Sequence, residues 1–537
     1  MRSRGMILTT LALFALTQAS GVLGQARPGG ARPNADDDHA AAQPAPLATV
    51  APAVPPGIAD AAELGDLKAV KAFIARRVDV NAPSASGTPA LHWVVRMQDL
   101  DVAKQLLKAG ADSNRANRYG LRPLHLAIAN GDLPMVRLLL ATKADANSTD
   151  STGETCLLMA ARGGNLDIVK ALLAKGAVVD ASDPVYGQTP LMVAARFGFL
   201  PIAQLLIERG AQVNAKTRTG PTAKFRTPAS NSGSKGAGII RGGWPERGER
   251  DPTPGAKTPL LYAAREGHTD VAKLLLEKGA GIEIADADGV TPLLMAVLNG
   301  QLSLAQFLMD RGANVNVSDW YGQTPLWAAV DWRNIEVPGP TRENGVDREG
   351  TFGLIKALLD KGANPNARTK EYPPLHRWIM RLGSFGWADL TGQTPFLRAA
   401  TAADVKTMRL LLEHGADPNI STFSGTTPLM AAAGINWTVA QTYDEGPEHV
   451  LEAVKLAQSL GNDVNATNDM GLQAVHAAAN RGLDDVIRFL VEKGAKLDVP
   501  DKQGRTPLTW AKGVFLATHP PEAKPRTIAL LEQLQGS

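Results

Sequence analysis

A short phrase recurs along this chain of 537 residues, usually about 33 positions after its last appearance. It consists of a polar residue, a Pro or small residue, and a hydrophobe. It reads Thr88-Pro89-Ala90-Leu91-His92, Arg122-Pro123-Leu124-His125, Thr155-Cys156-Leu157 and Thr189-Pro190-Leu191. It returns as Thr258-Pro259-Leu260, Thr291-Pro292-Leu293, Thr324-Pro325-Leu326 and Thr394-Pro395-Phe396, then as Thr427-Pro428-Leu429, Gln473-Ala474-Val475-His476 and Thr506-Pro507-Leu508. A fixed period of this length means stacked copies of one small unit, and excludes a conventional closed core.

The unit from Thr291 to Asn316 shows why. The Thr291 hydroxyl suits a helix N-cap, and Pro292 suits the first helical position, where its missing N–H is not needed. Leu293, Leu294 and Ala296 give a short apolar face that stops near Asn299-Gly300. Leu304, Phe307, Leu308 and Met309 fall at helical spacing in a second helix, over 302–311, and Gly312 ends it. Asn314 and Asn316 open a polar hairpin that returns through Gly322 to Thr324. One such couple cannot hide its own apolar faces, whereas stacked couples can.

These phrases resemble the ankyrin repeat. Thr-Pro-Leu-His, Ala-Ala, a Leu-rich second helix and Gly-Ala-Asp-x-Asn all occur, as in Leu410-Leu411-Leu412 followed by Gly415-Ala416-Asp417-Pro418-Asn419. The resemblance runs over residues 57–537. It implies an all-α fold, an ankyrin-type α-solenoid of roughly 11–12 helix-pair repeats with β-hairpin fingers along one edge. It also implies protein ligands, gripped by the finger tips and first helices.

Residues 1–26 read as a secretory signal: Arg2 and Arg4 precede an apolar run from Met6 to Ala19 that is too short for a mature membrane span. The competing reading is a retained anchor. Export would place the protein in a periplasm or the extracellular space. Residues 27–56, rich in Pro and Ala, cannot build a core and read as a disordered linker. Asp36-Asp37-Asp38-His39 within it is a solvated acidic patch in preference to a metal site. Cys156, the only cysteine, excludes an intrachain disulfide and reads as a buried structural thiol.

The departures from the period carry the remaining information. Residues 57–215 and 258–537 form two repeat arrays, separated by a Gly/Pro-rich insertion over 216–257 that extends a finger. That insertion holds nine Lys or Arg against three acids, a net +6 in a chain whose total is only +3. Arg218, Arg226, Arg241 and Arg247 make it a candidate arm for an acidic protein or an anionic surface, with an inconsequential solvated loop as the alternative. Further inserts fall near 332–350 and 438–447, each between the two helices of a repeat. A third, over 369–390, is either a truncated repeat or an enlarged finger. Aromatics gather nearby: Trp320, Tyr321, Trp327, Trp332, Tyr372, Trp378, Phe385 and Trp387. Trp327 and Trp332, on a first helix, read as core. Tyr119, Tyr186, Trp320, Tyr321 and Phe423 sit at finger-tip positions, where exposed aromatics would be partner-binding anchors.

No catalytic constellation accompanies the repeat. There is no phosphate loop, nucleophile elbow or His-Glu-x-x-His, and no cysteine pair for zinc. Ser232-Gly233-Ser234-Lys235 has the spacing of some acyl-transferring hydrolases but falls in the insertion, with nothing to hold a nucleophile. His92, His125 and His476 belong to the repeat phrase and bridge backbone groups of adjacent units. No cofactor, metal or nucleic acid is expected. The function that follows is a non-catalytic, exported protein-binding scaffold. The alternatives are an enzyme or enzyme inhibitor acting through the inserts, or a cell-envelope spacer.

Overall fold

The computed structural model describes residues 57–220, 255–335, 345–371, 391–437, 442–443, 445–514 and 521–536. The chain divides into two units, 1–54 and 55–537, and all described residues lie in the second. The signal and linker readings, the acidic patch, the Ser-x-x-Lys spacing, Arg226, Arg241, Arg247 and the aromatics at 372, 378, 385 and 387 therefore lie outside the described residues.

Among the described residues the chain forms twelve helix pairs. The first five are α1/α2 (Ile58–Glu63, Leu67–Ala75), α3/α4 (Ala90–Arg96, Leu100–Lys108), α5/α6 (Pro123–Ala129, Leu133–Ala141), α7/α8 (Cys156–Arg162, Leu166–Ala174) and α9/α10 (Pro190–Phe197, Leu200–Glu208). Then follow α11/α12 (Pro259–Glu266, Thr269–Glu277), α13/α14 (Pro292–Leu298, Leu302–Asp310) and α15/α16 (Pro325–Arg333, Arg348–Asp360). The last four are α17/α18 (Pro395–Thr401, Val405–Glu413), α19/α20 (Pro428–Ala433, Pro447–Ser459), α21/α22 (Ala474–Arg481, Asp484–Glu492) and α23/α24 (Pro507–Ala511, Pro525–Gly536).

Local chemistry fixes both helix starts. The Thr hydroxyl of the phrase accepts from the backbone N–H three residues on, at 3.2 Å for Thr324 and Thr394 and 3.3 Å for Thr258 and Thr427. Second helices use a carboxylate or amide instead. Asp99 accepts from Val102 N at 2.8 Å, Asp132 from Met135 N at 3.0 Å and Asn165 from Ile168 N at 3.1 Å. Each cap contributes about 1 kcal/mol, so no single helix is self-sufficient. Stability comes from packing: first helices stack α1 on α3 on α5 and onward, and second helices stack in the same order. Leu106, Leu139, Leu172 and Leu206 recur in that seam with no exposure.

A ladder of amides stitches successive repeats. Asn114 donates to Lys143 O (2.8 Å) and accepts from Asp145 N (2.7 Å), and Asn147 repeats this with Gly176 O (3.0 Å) and Val178 N (2.8 Å). The same rung crosses the basic insertion, where Asn214 meets Gly279 O and Gly281 N, each at 2.9 Å. Helix α9 packs directly on α11, so the insertion extends a finger and interrupts no stacking. The segment 369–390 is flanked in the same way. Helix α15 packs directly on α17, Thr369 N donates to Gln393 O (3.1 Å) and Gly392 N to Thr369 O (2.8 Å). The flanks of this segment thus pair as the two sides of one finger, while residues 372–390 lie outside the described residues.

The fingers differ from the expected β-hairpins in one respect. Among the described residues they hold isolated bridges, Pro83 with Pro89 and Thr149 with Thr155, and no continuous ladder. Their closure is a side-chain device, described next.

Candidate binding surface

Among the described residues, seven fingers turn around an Asn or Asp side chain placed shortly before a glycine. Asn117 Oδ1 accepts from Tyr119 N (3.0 Å) and Leu121 N (3.1 Å), and Asp150 Oδ1 from Thr152 N (2.8 Å) and Glu154 N (2.9 Å). Asp183, Asp286, Asp319, Asn468 and Asp501 do the same work. These are Asx turns, which tie a tip down without strand pairing. The glycine that follows adopts positive φ, +75° at Gly120 and +80° at Gly322, a conformation other residues resist. Neighbouring tips are then tied together: Arg218 N donates to Tyr186 O (2.8 Å), Trp320 N to Asp288 O (2.8 Å) and Phe423 N to Thr391 O (3.0 Å). The turn residues were missed at the sequence level. The signal was present as Asn or Asp three positions before Gly at 117, 150, 286, 319, 468 and 501.

Asp319 stands apart within this series. The residue is 3% exposed, and burial pushes its carboxyl up to about 7 against the hydrogen bonds from Gln323 and Tyr321 N–H, with Asp286 and Asp288 adding repulsion. In the unfolded chain the group ionises near 3.8. The fold therefore binds this proton more tightly than the unfolded chain does. Its contribution is fully present below about pH 4 and is lost as pH rises towards about 7. Asp319→Asn keeps the accepting oxygen and matches the amides already used at Asn117 and Asn468. It is expected to raise Tm at pH 7.5 and leave it unchanged at pH 4. A fall at pH 7.5, or the same shift at both pH values, would contradict this.

Four of the five tip aromatics keep exposed surface, and one does not. Tyr119 is 55% exposed, Tyr186 65% and Phe423 49%, with Val185 beside Tyr186 equally open. Trp320 is half-buried and meets Tyr321 edge-on, with ring centroids 5.0 Å apart. Tyr321 corrects the expectation, being 6% exposed. Its register matches that of Tyr119, but Lys370 and Glu371 of the next finger both donate to the Tyr321 carbonyl, at 2.8 and 3.2 Å. Trp327 is buried, as expected of core, and Trp332 is half-buried against Gly300.

The exposed tips carry arginines. The Arg118 guanidinium lies 4.7 Å from the Tyr119 ring centroid and that of Arg368 lies 4.4 Å from Phe423. Arg218 donates to the Pro184 carbonyl of the finger bearing Tyr186. On the first-helix face, Arg196 lies 5.5 Å from the exposed Phe197 ring and Arg96 5.6 Å from Trp93. Such pairs leave a cation presented on a flat apolar plate. Phe197 and Trp93 lie outside the aromatic cluster at 320–387 that the sequence draws attention to.

The titratable groups of the interior serve structure. His92 Nε2 lies 3.0 Å from Leu121 O of the next repeat, and His125 Nδ1 accepts from Arg122 N at 3.1 Å. Burial holds His92, His125 and His476 below the usual imidazole range. Cys156 is fully buried, its Sγ 3.4 Å from Ser148 Oγ, and burial pushes its thiol up to about 11, which suits an inert thiol.

Comparison with known proteins agrees with this architecture. A profile of ankyrin repeats in three copies matches residues 58–150, 129–217, 260–337 and 445–513, and a single ankyrin repeat profile matches 391–423. Ankyrin repeat and SOCS box protein 3 of Bos taurus is 30% identical over 178 residues, 30% of this chain and 31% of that protein. An ankyrin repeat and KH domain-containing protein of Caenorhabditis briggsae is 29% identical over 165 residues, 30% of this chain and 5% of that protein. The chain thus aligns with under a third of the length of these curated relatives. Among solved structures, the ankyrin repeat domain of Bcl-3, a member of the IkappaB protein family, is 24% identical with a TM-score of 0.35, over 44% of this chain and 92% of that domain. With family profiles matching more than half of its length, in register with the helix pairs, the chain belongs to the ankyrin repeat family.

Proposed function

We propose that this protein is a non-catalytic, exported scaffold that holds a protein partner along its finger tips and first helices. The observation that carries the reading is the set of exposed aromatics, Tyr119, Tyr186 and Phe423, on tips closed by side-chain turns, two of which, those of Tyr186 and Phe423, backbone hydrogen bonds also hold to a neighbour. Rigid aromatics bury much area for little lost side-chain freedom, which is what an interface anchor needs. The arginines beside them favour an acidic partner, and Arg218 continues that charge into the basic insertion. Export rests on the first 26 residues, with their arginines and apolar run.

The test is capture of partners from the native compartment by the tagged full chain, with crosslinking. Tyr119→Ala, Tyr186→Ala and Phe423→Ala together should weaken capture at least about tenfold, the combined loss of roughly 1.4 kcal/mol or more, and leave Tm unchanged. Capture undiminished by the triple substitution, or no specific protein captured at all, would sink the reading.

A further inference from the structure

The inserts between the helices of the α15/α16 and α19/α20 repeats meet each other. Ile335, just after α15, forms an antiparallel bridge with Thr442, just before α20, although a complete repeat, α17/α18, lies between their own repeats. The Asn334 carbonyl is the junction. It accepts from Tyr443 N (3.1 Å) of the far insert and from Arg398 Nη2 (3.1 Å) of the intervening helix α17. One backbone oxygen thereby joins three successive repeats.

Ion pairs surround this junction. Arg333 Nε lies 2.8 Å from Asp404 Oδ2, which also accepts from Asn334 Nδ2 at 3.2 Å, and Arg398 Nε lies 2.6 Å from Asp331 Oδ1. Arg333 and Arg348 each donate to the other's backbone carbonyl, and the Arg348 guanidinium stacks 3.1 Å from the Tyr443 ring centroid. Arg333, Arg398 and Asp404 are all buried.

That burial is local to this part of the stack. Ala402 of the α17 repeat is buried, yet its register equivalents Met97, Asn130, Phe197 and Glu266 in the earlier repeats are exposed. At the register of Arg398, Trp93, Leu126 and Met159 are half-buried while Val193 and Tyr262 are buried, so the Ala402 position is the one that distinguishes α17. The first-helix face, open along α3 to α11, is covered at α17, and the residues seated on it belong to this chain.

We propose that residues 333–335 and 442–443 form an internal strap, which occupies the first-helix face of the α17/α18 repeat as a ligand would and confines partner binding to the earlier repeats. The second half of this statement rests on the scaffold reading above; the first half does not. The strap makes α15 to α20 one block in a stack whose principal helix contacts, among the described residues, run to the next repeat. It also identifies the open face, α3 to α11, with its Arg96–Trp93 and Arg196–Phe197 pairs, as the one that meets an acidic polypeptide.

The test is the pair Ile335→Cys with Thr442→Cys in the full chain. Residues paired across antiparallel backbone, with the flanking N–H···O bond seen here, stand about 4.5–5.5 Å apart at Cα, within reach of a disulfide. Mild oxidation should close an intrachain bond, lowering the mass by two hydrogens, while either single variant stays reduced. Two thiols that remain free to alkylation, in a chain whose helical circular dichroism is intact, would overturn the strap. Hydrogen exchange on the unsubstituted chain is a second readout that needs no variant. The Tyr443 amide should exchange at least about a hundredfold more slowly than an unstructured amide, and unprotected exchange there overturns the strap as well. Protein captured by the tips should be captured equally by the oxidised pair. Capture lost only on oxidation would show that the covered face is the binding face. Capture absent from the unsubstituted chain would overturn the scaffold reading and leave the strap standing.

Discussion

Replacing Asp404 by Asn is expected to destabilise the folded chain by about 3–5 kcal/mol, because it leaves the Arg333 guanidinium buried without its counter-charge. The carboxylate has three tasks. Its Oδ2 faces Arg333 Nε and Asn334 Nδ2, and its Oδ1 caps α18 through Thr407 N at 3.1 Å. An amide can still cap the helix, but its NH2 would face a guanidinium that is 5% exposed at the side chain and has nowhere to find water. The pair Lys104–Asp101 is the control: 3.8 Å apart and largely exposed, it should contribute under about 0.5 kcal/mol. Urea unfolding followed by helical circular dichroism checks both. A loss for Asp404→Asn no larger than for Asp101→Asn would mean that Arg333 is not held as described.

Leu139→Ala is expected to cost about 2–5 kcal/mol, from the lost transfer of the side chain and the cavity that remains. Leu139 lies on α6 with no exposed surface, in the seam where α4, α6 and α8 stack. The two substitutions remove comparable amounts of stability but should differ in reach. Asp404 lies under the strap, so its loss loosens α15 to α20 together. Leu139 touches only adjacent repeats.

What could be read from the sequence was what is local or periodic. The Thr-Pro phrase at 258, 291 and 324 marks helix starts because an N-cap is made within three residues. The inserts were visible as breaks in the period. Their meeting was not, because Ile335 and Thr442 lie more than a hundred residues apart and no pattern in the chain links them. Tyr119 and Tyr321 share a register and were given the same role. In the structure one is buried, with Lys370 and Glu371 donating to its carbonyl, and the other is open. The acceptors that close most fingers are legible as Asp or Asn three residues before Gly, a turn signal distinct from the strand pairing a β-hairpin implies. The arginines near the tip aromatics depend on contacts such as Arg368 with Phe423, 55 positions apart, and needed coordinates.

The claim beneath all of this is that each helix couple is held by its immediate neighbours, with one strap as the exception. Peptide-resolved hydrogen exchange on Leu139→Ala measures it most directly. The account predicts that amides of α5 and α6 lose most protection, those of α3, α4, α7 and α8 lose less, and those of α15 to α24 exchange as in the unsubstituted chain. Equal loss of protection from α1 through α24 would contradict it, by showing one cooperative core where a neighbour-to-neighbour stack is claimed.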